Sequence, residues 1–209
     1  AVPRTGFADV AAEVLDSGWP STELAAYLRG LAAGLEAHAD RVRVEPVWTG
    51  PRTLPVPVRA TGNVLTEVVS EARRELAIMT YSAKPYEPVL AALADAVARG
   101  VTVIVVVETL AGAGSAMNGG EPAAAFASVA GIELWHWPLS KRDEAGAKMH
   151  AKLAVVDRRT LLISSANLTQ SGVAKNIEAG LLVRGGTAPV RAAEHIAELR
   201  AKGILERLR

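Results

Sequence analysis

Residues 149–169 read MHAKLAVVDRRTLLISSANLT, and within them two apolar runs, LAVV and TLLI, flank the charged triplet Asp157-Arg158-Arg159. Short apolar runs around a polar turn predict a β-hairpin. Such a hairpin does not require its polar flanks, His150 and Lys152 before it and Ser165 and Asn167 after it. Side chains alternate along a strand, so His150 and Lys152 share a face, and so do Ser165 and Asn167. With a turn centred on Arg158-Arg159, Asp157 pairs with Thr160, and the same register sets Lys152 opposite Ser165 and His150 opposite Asn167. An imidazole, an ammonium, a hydroxyl and an amide then form one patch, a nucleophile or base among donors suited to anionic oxygens. The plain alternative is a solvated strand rim. Downstream, Asn176 and Glu178 lie two apart on a further strand, where Glu178 can hydrogen-bond an imidazole and fix its tautomer.

Around the hairpin the pattern alternates. A helix over about 63–75 precedes strand LAIMTYS, a helix over about 88–99 precedes strand VTVIVVVE, and a Gly-rich loop follows. A helix near 121–130 leads to strand IELWHW, NIEAGLLVR forms a strand after the hairpin, and a long helix from about Pro189 closes the chain. Alternation of this kind implies parallel strands with helical crossovers, an α/β sandwich. The VTVIVVVE run suits a central strand covered on both faces. Residues 1–40 read as a small N-terminal helical cap, with Ser21-Thr22-Glu23 opening the run LAAYLRGLAAGLEAHA, and residues 41–209 as the main domain. RVRVEPVW at its start alternates like a strand, and TGPRTLPVPVRATG reads as an irregular link. There is no convincing internal repeat.

The 209 residues are half apolar and 22% charged, with a net charge of +1 and no cysteine. This composition describes a globular chain, excludes disulfides and thiolate catalysis, and leaves any basic surface to local clusters. No apolar run approaches the roughly 18 residues of a membrane span, and no basic segment followed by an apolar one opens the chain. A cytoplasmic protein without stable membrane association is the expectation.

Taken together the spacing is H-x-K-x4-D, then S-x-N, then N-x-E, and in this it resembles the phospholipase D superfamily. The motif stands here as His150, Lys152 and Asp157, followed by Ser164-Ser165-Ala166-Asn167, with Glu178 where the family's small bacterial endonucleases place a carboxylate. Chance agreement at these positions is on the order of 10⁻⁵ or less from residue usage. LAIMTYSAKP resembles the family's first core strand and serine-containing loop, so the likeness spans about 42–183. Ser164 departs from the Gly that many members carry. The helical front, VWTGP, PVRATGNVL and SSANLT…NIEAGLLVRGG further resemble the phospholipase D-like component of DISARM-type anti-phage defence systems.

The resemblance implies a phospholipase D-like sandwich with a mixed, mainly parallel central sheet flanked by helices. It implies catalysis by His150, Lys152, Asp157 and Glu178, with phosphate held by Lys152, Ser165 and Asn167, and neither metal nor cofactor. One imidazole attacks phosphorus and a second protonates the leaving oxygen, so two motifs are needed. This chain has one, and His38, His136 and His195 lack the accompanying Lys and Asn, so a homodimer is expected. The implied partners are nucleic acid, DNA foremost, and other proteins of a defence system. A lipid phosphodiesterase and a non-catalytic binding module are the competing functions.

Each residue also has a plainer reading. Asp157 suits a hairpin turn, and a supporting role there outweighs direct catalysis. Ser165 and Asn167 could cap a helix starting at LTQSG, and Glu178 could be an edge-strand charge. Trp135 and Trp137 share one face and read as core. AGAGSAMNGG has the wrong spacing for a nucleotide fingerprint and reads as a mobile loop beside the site. Lys141, Arg142, Lys148, Arg158, Arg159 and Lys175 either line a backbone-binding groove or form a solvated face.

Overall fold

The computed structural model describes residues 16, 18–39, 42–51 and 58–208, in a chain that divides into two units, Ala1–Arg41 and Val42–Arg209. In the first unit the run opened by Ser21 is helix α1 (Ser21–Ala39). Pro20 precedes it and its carbonyl accepts from the Glu23 and Leu24 N–H groups, both at 3.0 Å. The edge of Trp19 meets Tyr27 with centroids 5.7 Å apart.

The second unit runs β1 (Arg43–Thr49), β2 (Arg59–Ala60), α2 (Thr61–Glu71), β3 (Glu75–Thr80), α3 (Glu87–Ala98), β4 (Thr102–Val107) and α4 (Leu110–Ala113). It continues with β5 (Glu133–His136), β6 (Leu153–Val156), β7 (Thr160–Ser164), α5 (Gln170–Ala174), β8 (Glu178–Arg184), α6 (Ala188–Ala201) and β9 (Glu206–Arg207). The described strands form one sheet in the order β2-β1-β8-β7-β6-β3-β4-β5-β9.

Period-two burial explains the layers. Leu76 and Ile78 of β3, Val103 and Val105 of β4, Ala154 of β6 and Leu162 of β7 point to one face, where Val64 and Val68 of α2 and Leu93 of α3 cover them. On the other face Val155 and Leu161 pack against Ile196 of α6. Burying a side chain such as Leu93 or Val105 stabilises the fold by about 1.5–3 kcal/mol.

The α/β class and the mixed sheet are as expected, but the sheet is not mainly parallel. Among the described residues five of its eight strand pairings are antiparallel. Parallel pairing over any length is confined to β3-β4-β5, where crossovers intervene. The tight turn between β6 and β7 permits only an antiparallel pair, and β8, reached through α5, also pairs antiparallel with β7.

The expected 121–130 helix is a 3₁₀ turn at Pro122–Phe126, where Ala-rich sequence leaves little besides Phe126 to bury as a helix face. Residues 52–57 of the expected link lie outside the described residues, and Arg59-Ala60 beyond them adds a short parallel edge to β1.

The hairpin register also differs from expectation. Val156 pairs with Thr160 and Leu153 with Ile163, so the turn is Asp157-Arg158-Arg159 rather than two residues. Asp157 and Arg158 have φ of 50° and 56°, and the Arg159 N–H donates to the Val156 carbonyl at 2.9 Å. Asp157 leaves the ladder because its carboxylate is engaged elsewhere. It accepts backbone N–H groups from Arg73 at 2.9 Å, Arg74 at 2.8 Å and Glu75 at 2.9 Å. The same three bonds end α2 at Glu71, short of the expected Glu75, because the next N–H groups turn outward to Asp157.

Burial alone raises the Asp157 pKa, but the three backbone donors and the Arg74 charge together outweigh it, so the carboxyl sits below its ordinary range. A depressed carboxyl contributes stability that is full above its unfolded pKa of about 3.9 and is lost as pH falls through the folded value. Asp157→Ala is therefore expected to cost about 1–3 kcal/mol at neutral pH in chemical denaturation. The variant should also lose less stability than wild type between pH 5 and pH 3, a window of about two units around the unfolded pKa. An unchanged midpoint at neutral pH would remove the tie.

Candidate active site

The chain before β6 has no partner strand. Met149, His150 and Lys152 lie outside the ladder, apart from the Ser164 N–H donated to the Lys152 carbonyl at 3.1 Å. With the register moved by one, Lys152 stands opposite Ser164, not Ser165, and the two line a small pocket with Thr80 and Asn167.

His150 is exposed, and its ring lies on Tyr81 with centroids 4.6 Å apart and planes tilted by 53°. The Lys152 ammonium is 3.1 Å from Nδ1 and 3.3 Å from Nε2 of that ring, and it donates to the His150 carbonyl at 2.8 Å. It also sits 5.5 Å from the Tyr81 centroid, a cation–π contact. Only a deprotonated ring nitrogen can accept from the ammonium, so the contact favours neutral imidazole. Burial and then the Lys152 charge hold the His150 pKa below its ordinary value. Burial also lowers the Lys152 pKa, against the opposing pull of the Glu178 charge.

Ser165 lies past the end of β7 and donates its hydroxyl to Glu178, while accepting the Ala179 N–H at 3.2 Å. The other Glu178 oxygen accepts from Asn176 Nδ2 at 3.1 Å. The expected bond from Glu178 to an imidazole is not made within one chain. Glu178 orients Ser165 and Asn176 and reaches Lys152 through charge.

Asn167 accepts the Ser82 N–H at 3.3 Å through Oδ1, which leaves its amide N–H₂ for a ligand. It does not cap the following helix. Thr169 does, accepting the Gly172 N–H at 3.1 Å. Gly172 must lack a side chain, since a Cβ there would stand 2.4 Å from the Asn167 carbonyl oxygen. The Ala83–Leu168 bridge and the Lys84 N–H donated to Leu168 at 3.0 Å stitch the loop after β3 to this segment.

The patch therefore gathers His150, Lys152, Asn167, Ser165 and Glu178, with Ser164 and Tyr81 added. Asp157 is not among them. It lies at the other end of β6, five residues from Lys152 or about 16 Å at strand rise.

The basic residues considered for a groove are dispersed. Lys141 pairs with Glu206 at 2.6 Å, Arg158 with Glu75 at 2.6 Å, and Arg142 is buried. Trp135 and Trp137 pack with Ile104, Val106 and Met149, as a core reading requires. No cluster of three or more His, Asp or Glu side chains suited to a metal occurs among the described residues.

Sequence reasoning missed a buried ion pair next to the His150 segment. Glu108, fully buried after β4, accepts from Arg142 Nη2 at 2.7 Å and from the Met149 N–H at 2.8 Å. Arg142 spends its remaining donors on the carbonyls of Trp137, Gly112 and Ala147. Gly112 makes room, since a Cβ there would lie 2.2 Å from Glu108 Oε1. The residue preceding His150 is thus pinned to the sheet by a fully bonded pair. An acid ending an apolar run was the only available signal.

The fold agrees with the comparisons. The family model described as "Cardiolipin synthase, PLD-like domain" matches residues 65–200. Nuc from Salmonella typhimurium, a phospholipase D family member, is similar in structure with a TM-score of 0.58 and 21% identity, over 81% of this chain and 99% of that one. NucT from Helicobacter pylori matches with a TM-score of 0.60 and 17% identity, over 77% and 97%. Phosphatidylserine synthase of Haemophilus influenzae Rd KW20 matches with 0.58 and 14% identity, over 81% of this chain and 40% of that one. No curated protein sequence matches. The chain belongs to the phospholipase D-like family, the match covering well over half of its length.

Removing one member of the buried pair strands the other. Arg142→Met is expected to destabilise the protein by about 3–5 kcal/mol in chemical denaturation. The double variant Glu108→Gln, Arg142→Met should lose less than the single one, because no unpaired charge remains. A single-variant loss below about 1 kcal/mol, the range of an exposed pair, would contradict the assignment.

Proposed function

We propose that the protein is a metal-independent phosphodiesterase that hydrolyses nucleic-acid backbone, DNA foremost, through a phosphohistidine on His150, and that it serves in anti-phage defence of the DISARM type. The observation that carries the chemistry is the His150–Lys152 contact, an imidazole held neutral beside an ammonium and the free amide of Asn167.

His150 attacks phosphorus as the bond to the leaving oxygen breaks. Lys152 and Asn167 hold the non-bridging oxygens as charge develops on them. A second imidazole gives its proton to the leaving oxygen, then takes one from the water that displaces His150 and breaks the phosphorus–nitrogen bond.

That second imidazole comes from another copy of the chain. His136 is on β5, beyond β3 and β4 from β6 and so about 14 Å across the sheet, and His195 is exposed on α6. A twofold pairing brings two His150 side chains to one phosphate.

A phospholipid diester is the second reading, favoured by the description of the matching family model and the likeness to a phosphatidylserine synthase. Among the described residues no helix is long and apolar enough to cross a membrane.

The deciding assay presents single- and double-stranded DNA, RNA and phospholipid vesicles to wild type and His150→Ala in EDTA. Wild type is expected to cleave DNA with chelator present, and His150→Ala to fall to background. Inhibition by EDTA with rescue by magnesium defeats the mechanism, and cleavage of lipid alone defeats the nuclease reading. Mass in solution should report a dimer. Because the His150 pKa is lowered, the acidic limb of the kcat/KM profile should fall below the ordinary histidine value of about 6.5, and a limb above it contradicts the geometry.

A further inference from the structure

The patch opens into a groove of about 710 Å³ that the proposed chemistry does not use. Asn167 lines both the pocket holding Lys152 and this groove, and Tyr81, which carries the His150 ring, lines the groove too, so the groove borders the patch. One wall is the loop after β3, with Ser82 and Lys84, and another is the start of α5, with Gln170 and Ser171. The third is the Gly-rich stretch after α4, which contributes Asn118.

Its chemistry is one-sided. None of the residues lining the groove is acidic, and most present hydroxyl, amide or ammonium groups. Lys84 is exposed and makes no ion pair among the described residues, unlike Lys141 and Arg158. Its backbone is nonetheless fixed, since its N–H is bonded to Leu168 in the stitch that also places Asn167. An unpaired cation on a rigid loop, among neutral donors and beside a phosphate site, matches a second phosphate of a continuous backbone. An acyl chain would need an apolar channel instead. Half-buried Met117 adds a soft apolar edge beside that phosphate.

We propose that this groove is the binding track for the polynucleotide flanking the scissile phosphate, with Lys84 as its phosphate contact. The substrate is then a polymeric phosphodiester and not a single lipid headgroup. The inference rests on the nucleic-acid phosphodiesterase reading and adds to it the surface and the residue that hold the flanking strand.

The test measures binding by fluorescence anisotropy in the His150→Ala background, so that cleavage does not intervene. Labelled DNA oligonucleotides, single-stranded and duplex, are titrated across salt, beside vesicles of anionic phospholipid. Adding Lys84→Gln should weaken oligonucleotide binding severalfold at low salt. It should also flatten the slope of log affinity against log salt by about 0.7 for single strands or about 0.9 for duplex, one phosphate contact. Lys202→Gln, on the far helix α6 side and paired with Glu198, should leave the slope unchanged.

Oligonucleotide binding whose salt slope ignores Lys84→Gln overturns the groove and spares the nuclease reading. Vesicle binding without oligonucleotide binding overturns both, and so does the absence of any binding. Hydrolysis of bis(p-nitrophenyl) phosphate by wild type reports the phosphodiesterase chemistry separately.

Discussion

The Asp157 carboxylate holds three consecutive backbone N–H groups at the point where α2 gives way to β3, and the geometry of the sheet's centre follows from that contact. It pulls Asp157 out of the ladder, lengthens the β6–β7 turn and shifts the register by one residue. Because a one-residue shift exchanges the faces of a strand, it decides which serine stands opposite Lys152. The motif aspartate thus acts from about 16 Å away, as an alignment device for the residues at the other end of β6.

The near end of the same segment is fixed by different physics. Lys152 and His150 precede the ladder, so strand pairing cannot hold them, and the buried Glu108–Arg142 pair takes over at Met149. Taking two charges out of water is costly, and the fully satisfied Arg142 donors offset that cost only in one arrangement of three chain segments. The pair therefore specifies position more than it adds stability, on a segment that strand pairing leaves unfixed. A hydrophobic plug of similar volume would fill the space but would leave the Met149 N–H without its acceptor.

Legibility in the sequence followed the range of the interactions. The unbroken apolar run of β4 announced a central strand, and its residues Val103 to Val107 are buried on both faces. His150, Lys152, Ser165 and Asn167 were legible because close spacing and a hairpin bring them together. The register was not, since the partners of Asp157 lie more than 80 residues upstream. The same limit hid the Ser165–Glu178 bond, which depends on how β7 aligns with β8, and Arg142, 34 residues from Glu108. Arg142 looked like a surface cation because composition cannot tell a buried guanidinium from a solvated one. The expectation of a mainly parallel sheet arose similarly, by extending the β3-α3-β4 alternation to strands that pair antiparallel.

On the phosphodiesterase reading, the position of Lys152 has a kinetic meaning. In the free chain its ammonium stands 3.1 and 3.3 Å from the two nitrogens of the imidazole proposed as nucleophile. The same contact that helps lower the His150 pKa also crowds that ring. A phosphate oxygen is a stronger partner for the ammonium than a neutral ring nitrogen, because the bond becomes charge-assisted at both ends. On the proposed mechanism, a bound phosphate would therefore draw Lys152 off the ring and uncover it. Glu178, which reaches Lys152 only through its charge and is itself engaged by Ser165 and Asn176, does not compete for that transfer. A carboxylate bonded directly to Lys152 would hold the ammonium back, whereas the indirect contact seen here would leave it free to move to a phosphate on the proposed mechanism.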